Sequence, residues 1–506
     1  MIGITPLGAV ASAILLLLLT ALYRLTLHPL RSYPGPRLWA VSRLPWLLST
    51  VRGTIIHDLQ RLHTIYGPVV RVAPNELSYT TPAAVKTIYQ STPEFPKDPM
   101  HLPPFHNGVP GILAADHDSH RRFRRLLAGA FSDRGMRAQQ GMIQSHVDLL
   151  VQRLRERCGG IQAVDMCEWF NWTTFDVIGD LAFGESFGCL ERARTHQWIA
   201  GIQGGVKAIP VINAIRRLGL DWVVPLLAPR RLLAMRERNA RFTVEKVDQR
   251  RRWGAQDRGD LWDGMIAGDG GEGGGGDRAP ASSGSEAKPR DPTAGTMTRE
   301  EMISNASAIV LAGSETSATL LSGCMWLLLR PENRLRLRRL AEHVRASFAS
   351  EDEIDLISVG RLDYMLAVID EALRLYPPVP MQSNRVTSVA FQLYAACRSP
   401  SNFHRADEFV PERWLADSGA STGNKEFATD RREALQPFSI GPRNCIGRQL
   451  AYAEMRLILA KLLWHFDFEL DDATMQGRDW MAEQGVWILW DKGPLWVRVR
   501  ERERGV

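Results

Sequence analysis

The sequence has few cysteines for its size, and none of them forms a metal-binding or disulfide motif. Six cysteines are spread over 506 residues, without a CxxC pair or a cluster of cysteine and histidine. This spacing argues against a structural zinc site. Sparse cysteine in a large chain also favours a reducing compartment over a disulfide framework. A role for a single cysteine, such as Cys445, must therefore come from its own surroundings.

Strong net charge and the glycine motifs of nucleotide-binding proteins are also missing. A formal net charge of +6 is small for 506 residues, so nucleic acid is not expected as a partner. Without a G-x-G-x-x-G fingerprint, electrons for a redox reaction would have to come from another protein. The Gly-rich segment 264–296 is not followed by Gly-Lys-Ser/Thr, and its composition predicts a disordered insertion.

An intensely apolar run lies at the N-terminus. Residues 2–23 carry no charged side chain and are long enough to span a bilayer. Arg24, Arg31 and Arg37 follow the run, which favours an uncleaved anchor with the rest of the chain in the cytosol. A cleaved signal peptide is the alternative. Residues 24–37 are predicted to form a Pro-rich linker, and residues 38–506 the main folded domain.

Apolar residues recur at helical spacing along most of the chain, whereas strand patterns are few. The predicted fold class is therefore mainly α with a small β-sheet subdomain. Helices are predicted over Gln139–Arg155, Thr173–Phe183, Arg299–Arg330, Arg361–Leu375 and Arg448–Trp464. Strands are predicted over Val69–Val72, Glu76–Tyr79, Ser388–Tyr394, Gly485–Trp490 and Leu495–Arg498.

Cys445 lies in the sequence PFSIGPRNCIGRQLAYAE, directly before a helical pattern. The pattern F-x-x-G-x-R-x-C-x-G is formed by Phe438, Gly441, Arg443, Cys445 and Gly447. Glycine permits tight turns that aim backbone amides at the sulfur, and these amides together with the helix N-terminus stabilise a thiolate. The arginine could neutralise a nearby carboxylate. Such a loop suits a metal-bound thiolate beside an anionic cofactor.

This loop resembles the haem-binding loop of the cytochrome P450 family. The closer resemblance is to fungal microsomal members of secondary metabolism, such as the isotrichodermin hydroxylase group. Three phrases carry it: Asp176-VIGDLAFGESFGCL, Tyr394-AACRSPSNF and Phe409-VPERWL. The family's motifs follow one another in the family's order over nearly the whole chain.

The resemblance implies a P450 fold after one transmembrane helix, with Cys445 as the axial ligand of the iron in haem b. It implies a monooxygenase that inserts one oxygen atom of O2 into an apolar terpenoid, polyketide or aromatic molecule. It also implies an NADPH-cytochrome P450 reductase as electron source and a monomeric protein. The location implied is the endoplasmic reticulum membrane, with the catalytic domain in the cytosol.

The long helix predicted over Arg299–Arg330 contains Ala312-Gly-Ser-Glu-Thr316. A glycine inside a helix costs about 1 kcal/mol relative to alanine, and a close helix–helix contact would explain Gly313. The resemblance implies another reason, because this helix would cross the haem, where Ala312 and Gly313 make room for oxygen. It further implies that Thr316 hydrogen-bonds during oxygen activation and that Glu315 joins the proton relay.

Glu371 and Arg374 are spaced i, i+3 on a predicted helix and can form a pair. Alone, such a pair is typical of a surface salt bridge, which contributes little. The sequence Pro411-Glu-Arg-Trp414 follows downstream. The resemblance implies that Arg413 joins Glu371 and Arg374 in a buried trio that fixes the cysteine loop.

His120 and Arg124 fall on one helix face at i, i+4. The resemblance implies that they bind the haem propionates as cations, with Arg385 as a further propionate ligand. A basic surface helix is the other interpretation. Both can hold, since Arg121, Arg122 and Arg125 could form a patch that docks an acidic reductase.

One element of the family is missing from the sequence. Eight residues separate Arg385 from Tyr394, where the family has a strand, a hairpin and a return strand. A hairpin needs about 10 to 15 residues and cannot fit. Either the protein lacks the hairpin and is a haem-binding but inactive P450, or the sequence comes from an imperfect gene model.

The resemblance also implies which segments line the substrate. These are Pro103–Leu113, Ala308–Thr316, Val379–Met381 and Val486. The substrate's identity and the outcome of the reaction (hydroxylation, desaturation or ring coupling) stay open at this point.

Overall fold

The structure is a computed structural model that describes residues 6–98, 107–157, 163–227, 230–254, 258–266, 296–381, 385, 389–415, 425–475 and 477–502. Within these ranges the helices α1 to α19 are Pro6–Thr26, Arg37–Val41, Leu44–Arg52, Ile55–Tyr66, Pro82–Tyr89, His117–Leu127, Asp133–Arg155, Met166–Phe183, Cys189–Arg192, Gln197–Arg217, Val224–Leu227, Arg230–Trp253, Asp263–Ile266, Arg299–Leu329, Arg334–Ser347, Asp363–Leu375, Leu393–Cys397, Arg448–His465 and Asp472–Met475. The strands β1 to β6 are Val69–Ala73, Glu76–Tyr79, Val164–Asp165, Val389–Phe391, Phe466–Leu470 and Trp496–Glu501. Short 3-10 turns lie at Asp221–Val223, Pro331–Asn333, Glu351–Glu353, Ser358–Arg361, Pro411–Trp414, Lys425–Phe427 and Arg432–Ala434.

The core is built around α14, which packs against α8. Thr298 caps α14, since its hydroxyl accepts a bond from the Glu301 amide and the Glu301 carboxylate accepts one from the Thr298 amide. With 31 residues, α14 is about 46 Å long and crosses the whole body. Helix α8 is buried on nearly every side, as its apolar composition around the full circumference requires.

Two small sheets accompany the helices. The first has the order β1-β2-β4, with β1 antiparallel to β2 and β2 parallel to β4. The second has the order β3-β6-β5, and both of its pairs are antiparallel. The mainly helical fold class with small sheets is therefore confirmed, and each of the five predicted helices lies within or nearly coincides with an observed one.

Two of the predicted strands are wrong in part or in whole. Only Val389–Phe391 of the first is a strand, because the chain turns into α17 at Leu393, where buried alanines favour a helix. The second, over residues 485–490, contains one isolated bridge between Val486 and Trp490. There the Val486 amide bonds to the carbonyl of Gly53 rather than to a partner strand (2.8 Å).

The N-terminal helix α1 has no buried residue, and it is one of three described helices that are long and apolar enough to cross a membrane. It runs to Thr26, three residues beyond the predicted anchor, whose first residues lie outside the described part. Its end is tied to the body, since the buried Arg71 guanidinium donates to the carbonyl of Arg24 (2.9 Å). The predicted linker also docks on β1, because the Arg71 amide donates to the carbonyl of Pro34 (2.8 Å).

Most of the predicted disordered insertion, residues 267–295, lies outside the described residues. Its first three residues belong to α13, so disorder was wrong for them. The reason is packing, since Met265 and the preceding Trp262 are fully buried.

A buried carboxyl group between α18 and α14 gives a test of this packing. Glu454 is hydrogen-bonded with Ser317, and burial raises its pKa to about 8. Between pH 4.5 and 8 the folded state therefore keeps a proton that the unfolded state has released, so stability falls as the pH rises through this window. Glu454→Gln removes this titration. The free energy of unfolding of the variant minus that of the wild type should therefore increase by about 3 kcal/mol from pH 5 to pH 8.

The measurement is the unfolding midpoint of the full-length protein at several pH values. The exposed Glu342, for which the structure gives no ion pair, supplies the matched control Glu342→Gln, which should follow the wild type. Parallel curves for the wild type and Glu454→Gln would contradict the buried, protonated state.

Candidate active site

The loop before Cys445 turns tightly against the body of the protein. The Cys445 amide donates to the carbonyl of Phe438 (2.8 Å), and the Asn444 amide donates to that of Gly441 (3.1 Å). Gly441 has a φ of +80°, and a Cβ there would lie 2.1 Å from the carbonyl oxygen of Tyr89. Glycine at this position is therefore required both by the backbone conformation and by the approach of another segment.

The thiol of Cys445 is accessible, although protein atoms surround it closely. Its side chain has accessible surface, yet burial is the main cause that raises the pKa of its thiol above the ordinary value. Both observations hold if the sulfur borders a cavity inside the protein rather than bulk solvent. The Gly447 amide, then Arg124 and Arg448, lower the pKa without outweighing burial. The protein alone therefore holds a thiol, and a bound metal cation would supply the charge that makes it a thiolate.

Cationic side chains gather beside this loop. Arg443 donates to the Glu94 carboxylate (2.8 Å) and to the carbonyl of Ala115 (2.7 Å). Arg385, only 2% exposed, also reaches Glu94 (3.3 Å), while its buried Nε has no partner among the described residues. Lys97 donates to the carbonyl of Leu113 (2.7 Å), and burial followed by Arg443 and Arg385 lowers its pKa to about 8.

Arg124 and His120 of α6 complete the cluster. Arg124 donates to the carbonyl and side chain of Asn444 (2.7 and 2.5 Å), so it touches the cysteine loop itself. Burial, and then Arg443, Lys97 and Arg124, lower the pKa of His120 to about 4. His120 is thus a neutral imidazole here, not the cation expected from sequence, because its neighbours already carry positive charge.

The cluster fits a cofactor that carries carboxylates. Arg385 and Arg443 pair with the carboxylate of Glu94, which also acts on Lys97, while Arg124 lies beside them on the cysteine loop, so the cations outnumber the carboxylate that they contact. Buried charges are stable when they are paired, and the orphaned Nε of Arg385 is a donor that awaits an acceptor. The propionates of a haem would supply these acceptors, and the accessible thiol of Cys445 would supply the metal ligand.

Helix α14 has an opening in the middle of its buried length. Residues 302–310 and 317–328 are buried, whereas Leu311, Ala312, Gly313 and Thr316 have accessible surface. The Thr316 hydroxyl donates to the carbonyl of Ala312 (2.6 Å). A Cβ at Gly313 would lie 2.8 Å from the side chain of Ile178, so close helix packing against α8 accounts for this glycine.

The carboxylate of Glu315 is fully engaged on another face of α14. Lys492 donates to one of its oxygens, and Gln203 of α10 donates to the other (2.9 Å). Lys492 also donates to the hydroxyl of Thr319 (2.7 Å). The Glu315 and Lys492 side chains are 7% and 4% exposed, so this ion pair is buried.

Glu371, Arg374 and Arg413 lie together, and all three side chains are fully buried. Arg374 donates twice to the Glu371 carboxylate (2.9 and 2.8 Å), and Arg413 donates once (3.1 Å). The Val410 amide and the Trp414 indole add two further bonds to the same carboxylate (2.8 and 2.9 Å). Burial alone would raise the pKa of Glu371, but Arg374 and Arg413 outweigh it and hold the pKa below its ordinary value.

Arg385 and Val389 contact each other at the point where the sequence is too short for the expected hairpin. The Arg385 amide donates to the carbonyl of Val389 (3.1 Å), and Arg385 forms isolated bridges with Val389 and Lys97. Residues 382–384 and 386–388 lie outside the described residues. The β1-β2-β4 sheet thus has three strands in the described part of the chain.

The segments predicted to line the substrate differ in burial, and one of them lies partly outside the described residues. Residues 103–106 lie outside the described part, whereas residues 107–113 pack on α14, with the Ile112 amide donating to the Asn305 side chain (2.8 Å). Val379 and Met381 are half-buried. Val486 is 1% exposed and belongs to the core, so it has no surface to offer a substrate here.

Several residues of these clusters were not found from the sequence. Glu94 and Lys97 lie in a loop without periodicity, so nothing in the sequence around them indicated that they belong to the site. Asp430, which accepts a bond from Arg413 (2.5 Å), is equally isolated in sequence. Lys492 could have been noticed, since the segment Gly485-VWILWDKGPLW is otherwise apolar except for Asp491.

Two surface clefts are separate from these clusters. One of about 500 Å³ is lined by Arg137, Gln140, Gly141, Gln144, Ser145 and Asp148 of α7. The other, of about 380 Å³, lies between the start of α10 and α12. Neither is lined by Cys445, by the cations around Glu94 or by the open residues of α14.

Comparison with known proteins agrees with these features. A family model described as Cytochrome P450 matches residues 33–486. The chain is 63% identical to an averantin hydroxylase of Dothistroma septosporum, covering 98% of this chain and 92% of the relative. It is 60% identical to the cytochrome P450 monooxygenase stcF of Emericella nidulans (97% and 98%) and 41% identical to that organism's versicolorin B desaturase stcL (98% and 99%).

The buried charge cluster of Glu371, Arg374 and Arg413 should contribute strongly to stability. Glu371→Gln leaves Arg374 and Arg413 buried with less negative charge, and breaking a buried ion pair costs about 3 to 5 kcal/mol. The denaturant midpoint should fall accordingly. The control Asp407→Asn breaks the pair with Arg398, in which the aspartate is 75% exposed, and should change the midpoint little. Equal midpoints for both variants would show that the cluster is not a structural support.

Proposed function

The chain belongs to the cytochrome P450 family, and from that premise we propose that it is a haem-thiolate hydroxylase of fungal secondary metabolism. Membership of this family of monooxygenases implies haem iron, O2, a redox partner and a small-molecule substrate. The observation that carries the proposal is the accessible thiol of Cys445, held in a tight loop with Arg124 and Arg443 beside it.

Cys445 is proposed as the axial ligand of the iron of haem b. Bound haem supplies the oxygen activation, and the thiolate donates electron density that favours cleavage of the O–O bond. Phe438, Gly441 and Gly447 shape the loop that presents the sulfur. Arg385, Arg443, Arg124 and Lys97 would hold the propionates as cations, and neutral His120 as a hydrogen-bond donor.

The open stretch of α14 is proposed as the oxygen-binding face. Ala312 and Gly313 leave room for a small molecule beside the helix, and Thr316 offers a hydroxyl there. To act as a donor during turnover, that hydroxyl has to turn away from the carbonyl of Ala312. Glu315 would take up protons from solvent and pass them towards Thr316, as an acid beside an alcohol can.

The relatives suggest where to look for the substrate. Two averantin hydroxylases, from Dothistroma septosporum and Aspergillus parasiticus, are 63% and 58% identical to this chain, whereas versicolorin B desaturases are 38–41% identical. We therefore propose averantin, or an apolar aromatic molecule similar to it, as the substrate and hydroxylation as the outcome. Desaturation is the alternative that the less similar relatives support.

The remaining parts of the proposal concern partners and place. An NADPH-cytochrome P450 reductase would deliver the electrons, and the protein would act as a monomer. Helix α1, which is apolar and has no buried residue, would anchor it in the endoplasmic reticulum membrane with the catalytic domain in the cytosol. Arg24, at the end of that helix, is bonded to the catalytic body through Arg71 and the carbonyl of Val41.

A second candidate function is haem binding without activity. The alignment with the relative that is 63% identical spans 516 positions, more than the 506 residues of this chain, so the relative contains residues without a counterpart here. The missing hairpin after Arg385 is one place where they could lie. If they do, the wall of the substrate channel is incomplete.

Averantin gives the direct test of the proposed function. The haem-loaded protein with reductase, NADPH and O2 should convert averantin to a product heavier by one oxygen atom, detected by mass spectrometry. Cys445→Ser should abolish this product, since the thiolate ligand is lost. A product lighter by two hydrogen atoms would replace hydroxylation by desaturation. Absence of any product would contradict averantin as substrate.

The missing hairpin has its own test. The segment that the averantin hydroxylase of Dothistroma septosporum has after the equivalent arginine can be grafted between Arg385 and Val389. If the short segment leaves the enzyme complete, the graft should change the rate of averantin conversion less than about threefold. A gain from no detectable product to turnover, at equal haem content, would instead identify the natural chain as the inactive form.

A further inference from the structure

Three parts of the chain meet at the carboxylate of Glu315. Lys492 comes from the segment before β6, Gln203 comes from α10, and Glu315 itself lies on α14. One oxygen of the carboxylate accepts from Lys492 and the other accepts from Gln203 (2.9 Å). Both acceptor atoms are thus occupied, and the carboxylate has one defined position.

The segment that carries Lys492 is itself firmly held. On one side the Trp490 indole donates to the carbonyl of Pro377 (2.8 Å). On the other, the carbonyl of Gly493 accepts from Trp480 (2.9 Å) and the Leu495 amide donates to Asp165 (2.9 Å). With its backbone fixed on both sides, Lys492 presents its ammonium group at a set place rather than as a mobile surface charge.

The surroundings contain few other groups that could replace Lys492. Asp165, Cys167 and Tyr376 lie close enough to interact electrostatically with Glu315 or Lys492. Burial raises the pKa of Cys167 to about 12 and that of Tyr376 well above its ordinary value, so both are neutral at neutral pH. Asp165 is acidic, and within the described part of the chain Lys492 is the cation that pairs with Glu315.

We propose that Lys492 is a positioning residue that fixes the carboxylate of Glu315, with Gln203 as the second holder. This inference rests on the proposed function, in which Glu315 belongs to the proton relay. Without Lys492, a buried carboxylate would lose its compensating charge and either take up a proton or turn towards water. Proton delivery through Glu315 would then be impaired, while the residues proposed to bind haem and substrate would be unchanged.

The second holder links the carboxylate to the position of α10. One turn after Gln203 on the same helix, Lys207 pairs with Asp491, the neighbour of Lys492. This outer pair is about half exposed (51% and 38%), in contrast to the buried inner pair. It therefore offers a matched control, since Lys207→Met removes a lysine between the same two segments without touching Glu315.

The experiment measures coupling in the haem-loaded enzyme with reductase. The readouts are product formed, NADPH consumed and hydrogen peroxide released, with averantin or any substrate that the wild type converts. Lys492→Met should lower the product per NADPH about tenfold and raise hydrogen peroxide, less than the roughly 100-fold or more that a general acid contributes, because Glu315 itself is still present. Gln203→Leu should lower it about twofold, as for one neutral hydrogen bond. Lys207→Met should match the wild type.

Two further variants separate positioning from folding. Lys492→Arg keeps the charge and should restore most of the coupling, whereas a general loss of structure would not be rescued in this way. In a Glu315→Gln background, Lys492→Met should cause no additional uncoupling, because the residue acts through Glu315. Additive losses, or unchanged coupling in Lys492→Met, would overturn the proposal. A wild type that consumes no oxygen would instead count against the proposed function itself.

Discussion

The structure depends on one buried carboxylate, that of Glu371, which is stable only because it accepts five hydrogen bonds from four groups. Two arginines, an indole and a backbone amide come from α16 and from the segment that ends at Trp414, so these parts can pack only in one arrangement. Arg413 carries the constraint further, to Asp430. That residue is close in sequence to the cysteine loop, and the loop therefore begins from a fixed point. A buried ion cluster of this kind gives specificity more than stability.

Because its start is fixed in this way, the loop places the thiol of Cys445 next to side chains whose positive charge exceeds their negative charge. Cys445 has accessible surface, and the cations beside it outnumber the carboxylate of Glu94. Across the core, α14 is buried along its length except at the residues around Ala312 and Thr316. Each feature is costly for a protein alone, because an unpaired cation and an open interior both weaken packing. Together they suit a large, flat, anionic metal cofactor.

The sequence predicted the parts that repeat or have strict spacing. Helices such as α14 and α18 were placed nearly to the residue, because long, largely apolar segments of this kind predict helices that are buried on most sides. The motif around Cys445 was found for the same reason. Long-range partners were not, since nothing local in the sequence links Glu94 to Arg443 or Lys492 to Glu315. The neutral state of His120 also escaped prediction, because it depends on cations distant in sequence. The strand predicted over residues 485–490 was wrong, because the Val486 amide bonds to the carbonyl of Gly53 at the end of α3 and not to a neighbouring strand.

The central claim is that Cys445 binds haem iron as a thiolate, and the absorption spectrum of the reduced protein with carbon monoxide tests it most directly. The full chain should be purified with its haem and the haem content determined separately. If Cys445 is the ligand, the spectrum should show the strongly red-shifted band that a thiolate gives, and its intensity should be proportional to the haem content. A protein that contains haem but shows the band of a neutral ligand would contradict it. The thiol would then be no more than a residue at the edge of a cavity.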